Sequence, residues 1–154
     1  MGVEIERKFL VTGDAWRAGG RPVLLRQGYL SSQAERVVRV RIEDGRAMLT
    51  IKGPNQGATR GEWEYPIPVA DAEQLLAQLC EPPLIEKYRT RVEFGGMTWE
   101  VDEFLGANAG LVIAEIELTS EQQEFARPDW AGQEVTDQRR YYNSSLIKHP
   151  FSQW

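Results

Sequence analysis

Apolar and polar residues alternate along most of this chain in short stretches that turn residues separate. Alternation with a period of two is typical of strands that bury one face. The pattern predicts eight strands, at residues 3–11, 24–31, 36–43, 46–53, 60–67, 84–94, 97–104 and 112–119. Consecutive strands with short links favour an antiparallel sheet that closes on itself, because closure removes exposed edges. We therefore expect a closed eight-stranded antiparallel barrel.

Helical periodicity is confined to a few segments. Residues 71–80 carry an apolar stripe at helical spacing, and Asp71 is expected to cap this helix. Shorter helices are expected near residues 121–125 and 137–147. The fold class that follows is mainly β (α+β), with a few helices outside the barrel, in one domain over residues 1–154.

Two predicted hairpins locate the cations. The pair Asp44-Gly45 is a strong signal for a two-residue turn. Around that turn, strand alternation places Arg39, Arg41 and Lys52 on one face, and the opposite face of both strands is apolar.

The second hairpin turns at Gly95-Gly96. Its register places Lys87 and Arg89 on one face together with Asp102, whereas the other face is apolar. Both hairpins thus have one charged face and one apolar face.

Carboxylates also recur two residues apart on other strands. They are Glu4, Glu6, Glu62, Glu64, Glu115 and Glu117. The ordinary interpretation is a solvated outer face, since charged strand faces usually point to water. The alternative is an inverted barrel, with apolar residues outside beneath helices and a charged interior that binds a metal ion and a polyanion. The pattern leaves both interpretations open.

Composition narrows the classes of function. The chain has 154 residues and a net charge of −5, so a basic surface for nucleic acid is not expected. The single cysteine excludes an internal disulfide, and the single histidine excludes a multi-histidine zinc site. No apolar run approaches the ~20 residues of a membrane span. The charged N-terminal segment does not resemble a signal peptide, so we expect a cytoplasmic protein.

A series of short motifs occurs in a characteristic order. They are EIERKFLV (4–11), VRVR (38–41), TIKG (50–53), EWEY (62–65), EKYRTR (86–91), WEVDEF (99–104), AEIEL (114–118) and VTDQRRYYNSSL (135–146). In this order they resemble the CYTH superfamily, also called triphosphate tunnel metalloenzymes. The resemblance covers essentially the whole chain, and the bacterial inorganic triphosphatase branch is the most similar.

The resemblance implies a barrel that forms a tunnel with a charged lumen, in which Mg²⁺ or Mn²⁺ assists hydrolysis of a small-molecule triphosphate. Its implied reaction is the conversion of inorganic triphosphate to pyrophosphate and phosphate. The alternatives are a class IV adenylyl cyclase, a thiamine triphosphatase, or a non-catalytic module that binds polyphosphate or nucleotides. Family members are often dimers, which leaves a homodimer open. No membrane or nucleic-acid partner is implied.

The resemblance also assigns roles to the charged residues. The catalytic candidates are Glu4, Glu6, Lys8, Lys52 and Glu117. The substrate-binding candidates are Lys8, Arg39, Arg41, Lys52, Lys87 and Arg89. The metal candidates are Glu4, Glu6, Glu62, Glu64, Asp102, Glu115 and Glu117. Cations suit a triphosphate anion, and carboxylate oxygens suit a hard divalent cation.

The same register sends most aromatic side chains of the strands to the outer face. They are Phe9, Trp63, Tyr65, Tyr88, Phe94 and Trp99. Tyr29 is left open between the lumen and the core. A lumen with few aromatic rings offers little to a nucleobase, so inorganic triphosphate is expected to be a better substrate than ATP.

Overall fold

The computed structural model describes residues 2–154, and within them nine strands and two α-helices follow the chain. They are β1 (Gly2–Val11), β2 (Val23–Gln33), β3 (Arg36–Glu43), β4 (Arg46–Lys52), β5 (Thr59–Ile67), α1 (Val69–Gln78), β6 (Ile85–Phe94), β7 (Met97–Phe104), β8 (Val112–Glu117), β9 (Ala131–Glu134) and α2 (Asn143–Leu146). Short 3₁₀ helices lie at Ala15–Gly19, Gly106–Asn108, Arg139–Tyr141 and Phe151–Gln153.

Strands β1 to β8 close into the predicted antiparallel barrel, in the order β1-β5-β4-β3-β2-β6-β7-β8 and back to β1. Closure depends on β1. Its first residues, Gly2–Ile5, pair with β5, and the run from Glu6 to Leu10 pairs with β8. The extra strand β9 pairs with β1 at Phe9 and Val11. Its four residues are too few to show the alternation on which the predicted strands depend.

Both predicted hairpin registers are confirmed. Arg39 lies opposite Thr50 in the first hairpin, and Arg89 lies opposite Asp102 in the second. Asp44 and Gly45 have positive φ angles of 50° and 75°, as a tight hairpin turn that follows the strand twist requires. Aspartate tolerates this left-handed conformation better than most residues.

Helix α1 begins two residues earlier than predicted, and the predicted cap at Asp71 is wrong. Pro68 occupies the cap position. Asp71 lies in the first turn, where its negative charge interacts favourably with the helix dipole. Ala72 and Leu76 are buried against the barrel, whereas Leu79 lies beyond the helix and is 66% exposed.

The helix predicted near residues 121–125 is absent from the described part of the chain, and this prediction was wrong. The Thr119 backbone N–H donates to the Gln123 side chain at 2.6 Å, which stabilises a turn in place of a helix. The helix predicted at 137–147 is reduced to the 3₁₀ turn and α2. This segment packs Tyr141, Leu146 and other apolar side chains into the barrel.

Apolar side chains form three clusters, and two of them lie outside the barrel wall. One surrounds Phe9 and Trp99, which Phe125 and Trp130 cover. Another lies beneath α1. Helices or loops thus cover much of the apolar outer face, as the inverted barrel predicts, whereas Ile51, Tyr65 and Tyr88 remain exposed.

The third cluster, which we call the apolar end, lies inside the barrel. It joins side chains of inward parity on five strands to the C-terminal segment, which we define as residues 135–147. Its buried members are Tyr29, Val37, Ile85, Phe104, Leu111, Ile113, Val135, Tyr141, Leu146 and Ile147. No helix within residues 2–154 has both the length and the apolar character to cross a membrane.

Candidate functional site

The rest of the barrel interior is a cavity of about 690 Å³. All but one of the charged residues singled out in the sequence line it. They are Glu4, Glu6, Lys8, Arg39, Arg41, Lys52, Glu62, Glu64, Lys87, Arg89, Glu115 and Glu117. They project inward because side chains of one parity share one face of a strand. The charged interior is therefore real, and the solvated outer face is excluded for these residues.

Two lysines of the cavity are paired with glutamates across strands. Lys8 Nζ lies 2.9 Å from Glu115 Oε2 and 3.3 Å from Glu6 Oε1. Lys52 Nζ lies 2.9 Å from Glu4 Oε1 and 3.4 Å from Glu62 Oε2. Partly buried charges are costly without such partners. Each ammonium group lies between two carboxylates, in a position that would also suit a metal cation.

Asp102 is the predicted site residue that does not line the cavity. It is fully buried, and its Oδ1 accepts from Arg89 Nε at 2.7 Å. Its Oδ2 lies 2.8 Å from Arg89 Nη2 and 2.7 Å from Lys87 Nζ. Both oxygens are therefore engaged in holding two cations.

Lys87 lies at the border between the cavity and the apolar end. Its Nζ lies 5.3 Å from the centre of the Phe104 ring. Burial lowers the pKa of Lys87 to about 7, although the Asp102 carboxylate acts in the opposite direction. Lys87 thus places a titratable amine at the edge of the charged cavity.

Arg39 and Arg41 carry positive charge that the protein neutralises incompletely. Arg41 forms no ion pair with any of residues 2–154, and its Nε donates to the Gln27 amide oxygen at 2.9 Å. Burial and the neighbouring Arg39 lower the pKa of Arg41 to about 10. Arg39 is 3.7 Å from Glu64, and its buried Nε has no hydrogen-bond partner among the described residues 2–154. Buried polar groups are normally paired, so this pair suits an incoming anion.

Glu6 and Glu115 are close enough to differ in protonation. Burial and the Glu115 carboxylate raise the pKa of Glu6 well above its usual range. Burial also disfavours charge on Glu115, but Lys8 and a hydrogen bond from Glu6 outweigh it and hold the pKa of Glu115 well below its usual range. Adjacent carboxylates share a proton more readily than they bear two charges.

Several lining residues were missed by the sequence reasoning. Arg46 and Arg60 could have been found, because each has the parity of a predicted site residue on its own strand. The C-terminal segment contributes further lining residues without any strand pattern. They are Thr136, Tyr142, Asn143 and Ser144.

Tyr29 satisfies both alternatives, because it lines the cavity and packs in the apolar end. Its hydroxyl accepts a hydrogen bond from the Gln27 amide at 2.9 Å. None of the six aromatic residues predicted to face outward is among the residues that line the cavity.

The cavity has suitable donors for a divalent cation without a ready-made cluster. Within residues 2–154, no three His, Cys, Asp or Glu side chains are gathered so as to hold a metal ion. Mg²⁺ commonly uses one or two carboxylates and completes its coordination with waters and phosphate oxygens. The glutamates of the cavity are oxygen donors of this type, so the residues present fit such an ion.

A closed barrel with an interior lined by both cations and carboxylates defines a class of tunnel proteins with a charged central cavity. The family model described as "CYTH domain" matches residues 2–149. The chain therefore belongs to the CYTH family.

Its relatives include two curated proteins described as inorganic triphosphatases. The chain is 53% identical to that of Acetivibrio thermocellus, over 98% of this chain and 97% of the relative. It is 37% identical to that of Nitrosomonas europaea, over 93% and 95%. The crystal structure of the inorganic triphosphatase NE1496 superposes with a TM-score of 0.65 at 34% identity, covering 96% of this chain and 95% of that one.

Proposed function

We propose that this protein hydrolyses triphosphates with the help of Mg²⁺ or Mn²⁺, and that inorganic triphosphate is its preferred substrate. Water attacks a terminal phosphorus, the phosphoanhydride bond breaks, and phosphate and pyrophosphate leave. One observation carries the proposal: Arg39 and Arg41, whose charges the protein neutralises incompletely, line the same cavity as a group of carboxylates. The inorganic triphosphatase relatives support the same reaction.

Substrate binding is assigned to the cations. Arg39 and Arg41 present guanidinium groups that bind phosphate oxygens through paired hydrogen bonds. Lys8 and Lys52 are held by glutamates and would exchange these partners for phosphate oxygens. Lys87 and Arg89 complete the set from β6.

Metal binding is assigned to the lining carboxylates Glu4, Glu6, Glu62, Glu64, Glu115 and Glu117. A divalent cation held there would neutralise charge on the phosphate oxygens and activate water. We assign Asp102 to positioning Arg89 and Lys87, since its two oxygens are already occupied by them.

Glu117 is distinctive among the glutamates that line the cavity in residues 2–154. It is the one that forms no ion pair. Burial and the nearby carboxylates of Glu4 and Glu100 raise its pKa. A carboxylate without a competing cation is available to bind a metal or to orient the attacking water.

Phosphate release tests the proposal. Purified protein is assayed with tripolyphosphate, ATP and thiamine triphosphate, each with Mg²⁺, with Mn²⁺ and with excess EDTA. We expect turnover with either metal, loss in EDTA, and recovery when metal is added back. Full turnover in EDTA would exclude a metal-dependent reaction, and tight tripolyphosphate binding without turnover would identify a binding module.

The same assay tests the substrate preference. We expect kcat/KM for tripolyphosphate to exceed that for ATP by about tenfold or more. Specificity follows differential transition-state binding, and the six outward-facing aromatic side chains of the strands do not line the cavity, which leaves few rings that could hold a base. Equal values for ATP would contradict the preference. Cyclic AMP among the products would identify a cyclase.

A further inference from the structure

The C-terminal segment brings an amide side chain to the border of the cavity. Asn143 begins α2, and the same short helix buries Leu146 completely in the apolar end. This packing fixes the backbone of Asn143 and turns its side chain toward Lys87. Asn143 Oδ1 accepts a hydrogen bond from Lys87 Nζ at 2.8 Å.

Asn143 and Asp102 both contact the Lys87 ammonium group. The second contact, from Lys87 Nζ to Asp102 Oδ2, is 2.7 Å long. An ammonium group has three N–H donors, so two fixed acceptors leave one donor for the cavity. If the Asn143 acceptor were removed, Asp102 would be the remaining fixed acceptor. The ammonium group could then rotate about its contact with Asp102 and turn away from the cavity.

The amide of Asn143 is itself held in orientation. Gln27 Nε2 also donates to Asn143 Oδ1, at 3.4 Å, and donates to the Tyr29 hydroxyl at 2.9 Å. Lysine can only donate, so the oxygen of Asn143 must face Lys87. The arrangement is therefore a directed network and not a chance approach of two side chains.

We infer that Asn143 is a positioning residue that aims Lys87 at the substrate phosphates. The inference rests on the proposed function, since it takes Lys87 as a group that binds triphosphate. It assigns the C-terminal segment a part in the site in addition to its packing in the barrel.

The first test is Asn143→Leu, which preserves size and removes the acceptor. We expect kcat/KM for tripolyphosphate to fall about tenfold or more, since small displacements of a positioned group have large effects on rate. The Asn143→Asp variant keeps an oxygen acceptor beside Lys87. It should keep kcat close to the wild-type value while raising KM, because the added negative charge repels the substrate. Equal losses of kcat in the two variants would overturn the inference.

A double-mutant cycle separates positioning from a structural role. Binding of tripolyphosphate in EDTA is measured by calorimetry for Asn143→Leu in the wild-type and in the Lys87→Met background. If Asn143 acts through Lys87, its substitution should weaken binding clearly in the first background and by less than about twofold in the second. An undiminished effect without Lys87 would contradict the inference.

Asn108→Leu is the matched control. Asn108 is another buried amide, and its Oδ1 accepts from the Phe151 backbone N–H at 2.9 Å, away from the cavity. We expect a lower melting temperature with unchanged kcat/KM. A comparable loss of kcat/KM in this control would show that general loosening explains Asn143. Because the binding cycle needs no turnover, absence of hydrolysis by the wild type would refute the proposed function without deciding the role of Asn143.

Discussion

The charged cavity and the apolar end share several strands and the same inward face of the barrel. On β6, β7 and β8, a charged residue and an apolar residue two positions away point into the barrel. The pairs are Lys87 with Ile85, Asp102 with Phe104, and Glu115 with Ile113. Alternation therefore determines which side chains face inward. Position along the strand separates the charged inward-facing side chains from the apolar ones.

The two regions contribute differently to stability. Burial of the apolar end contributes roughly 25 cal/mol for each Å² of apolar surface removed from water. The charged cavity places partly buried ions near one another, and pairing them offsets little more than their lost hydration. Substitutions at the apolar end should thus lower the free energy of unfolding, and substitutions in the cavity should mainly change activity.

The largest expected effect comes from the apolar end. Leu146→Ala removes a fully buried side chain and should lower the free energy of unfolding by about 2–5 kcal/mol. Urea denaturation measures it. Leu79→Ala, at a leucine that is 66% exposed, is the control and should change stability by less than about 0.5 kcal/mol. Wild-type stability of Leu146→Ala would contradict the division of roles.

The next effect concerns a carboxylate of the cavity. Glu4→Gln should lower kcat for tripolyphosphate by about 100-fold, since loss of a metal-binding carboxylate removes several kcal/mol of transition-state stabilisation. Circular dichroism should show a folded protein. Glu86→Gln, at an exposed glutamate of β6, serves as control, and normal turnover of Glu4→Gln would exclude Glu4 from the active site.

A smaller effect is expected on the cationic side. Arg41→Gln should raise KM for tripolyphosphate by about tenfold, because a hydrogen bond to a charged group contributes about 1.5–3 kcal/mol. Stability should not fall, since Arg41 forms no ion pair with residues 2–154 and is repelled by Arg39. Arg36→Gln, on the exposed side of β3, is the control. An unchanged KM would remove Arg41 from the binding site.

The smallest effect compares two carboxylates in the absence of metal. Glu117→Gln removes repulsion from Glu4 and Glu100 and should not lower the melting temperature. Glu4→Gln removes the negative charge that pairs with Lys52 at 2.9 Å and should lower the melting temperature by about 1–2 °C. Differential scanning calorimetry in EDTA resolves the two. Equal shifts would mean that pairing with lysine does not distinguish these glutamates.

The sequence predicts the structure best where local chemistry constrains the backbone. The turns at Asp44-Gly45 and Gly95-Gly96 determine the hairpin registers, and the apolar pattern of both strands agrees with them. The prediction failed at residues 121–125, where the Gln123 side chain accepts a hydrogen bond from the Thr119 backbone N–H and the chain forms a turn. Short helices are marginal on their own, so tertiary packing decides whether they form.

Alternation and turn residues by themselves determined the barrel, its inward face and twelve of the charged residues that line the cavity. Tertiary structure decided which glutamates are paired with lysines, that Asp102 lies behind Arg89, and that the C-terminal segment reaches the site. Gln27 and Asn143 are 116 residues apart in the chain, and no local pattern links them. The physical reason is that a period of two specifies the direction of a side chain, whereas its depth and partners depend on how distant segments pack.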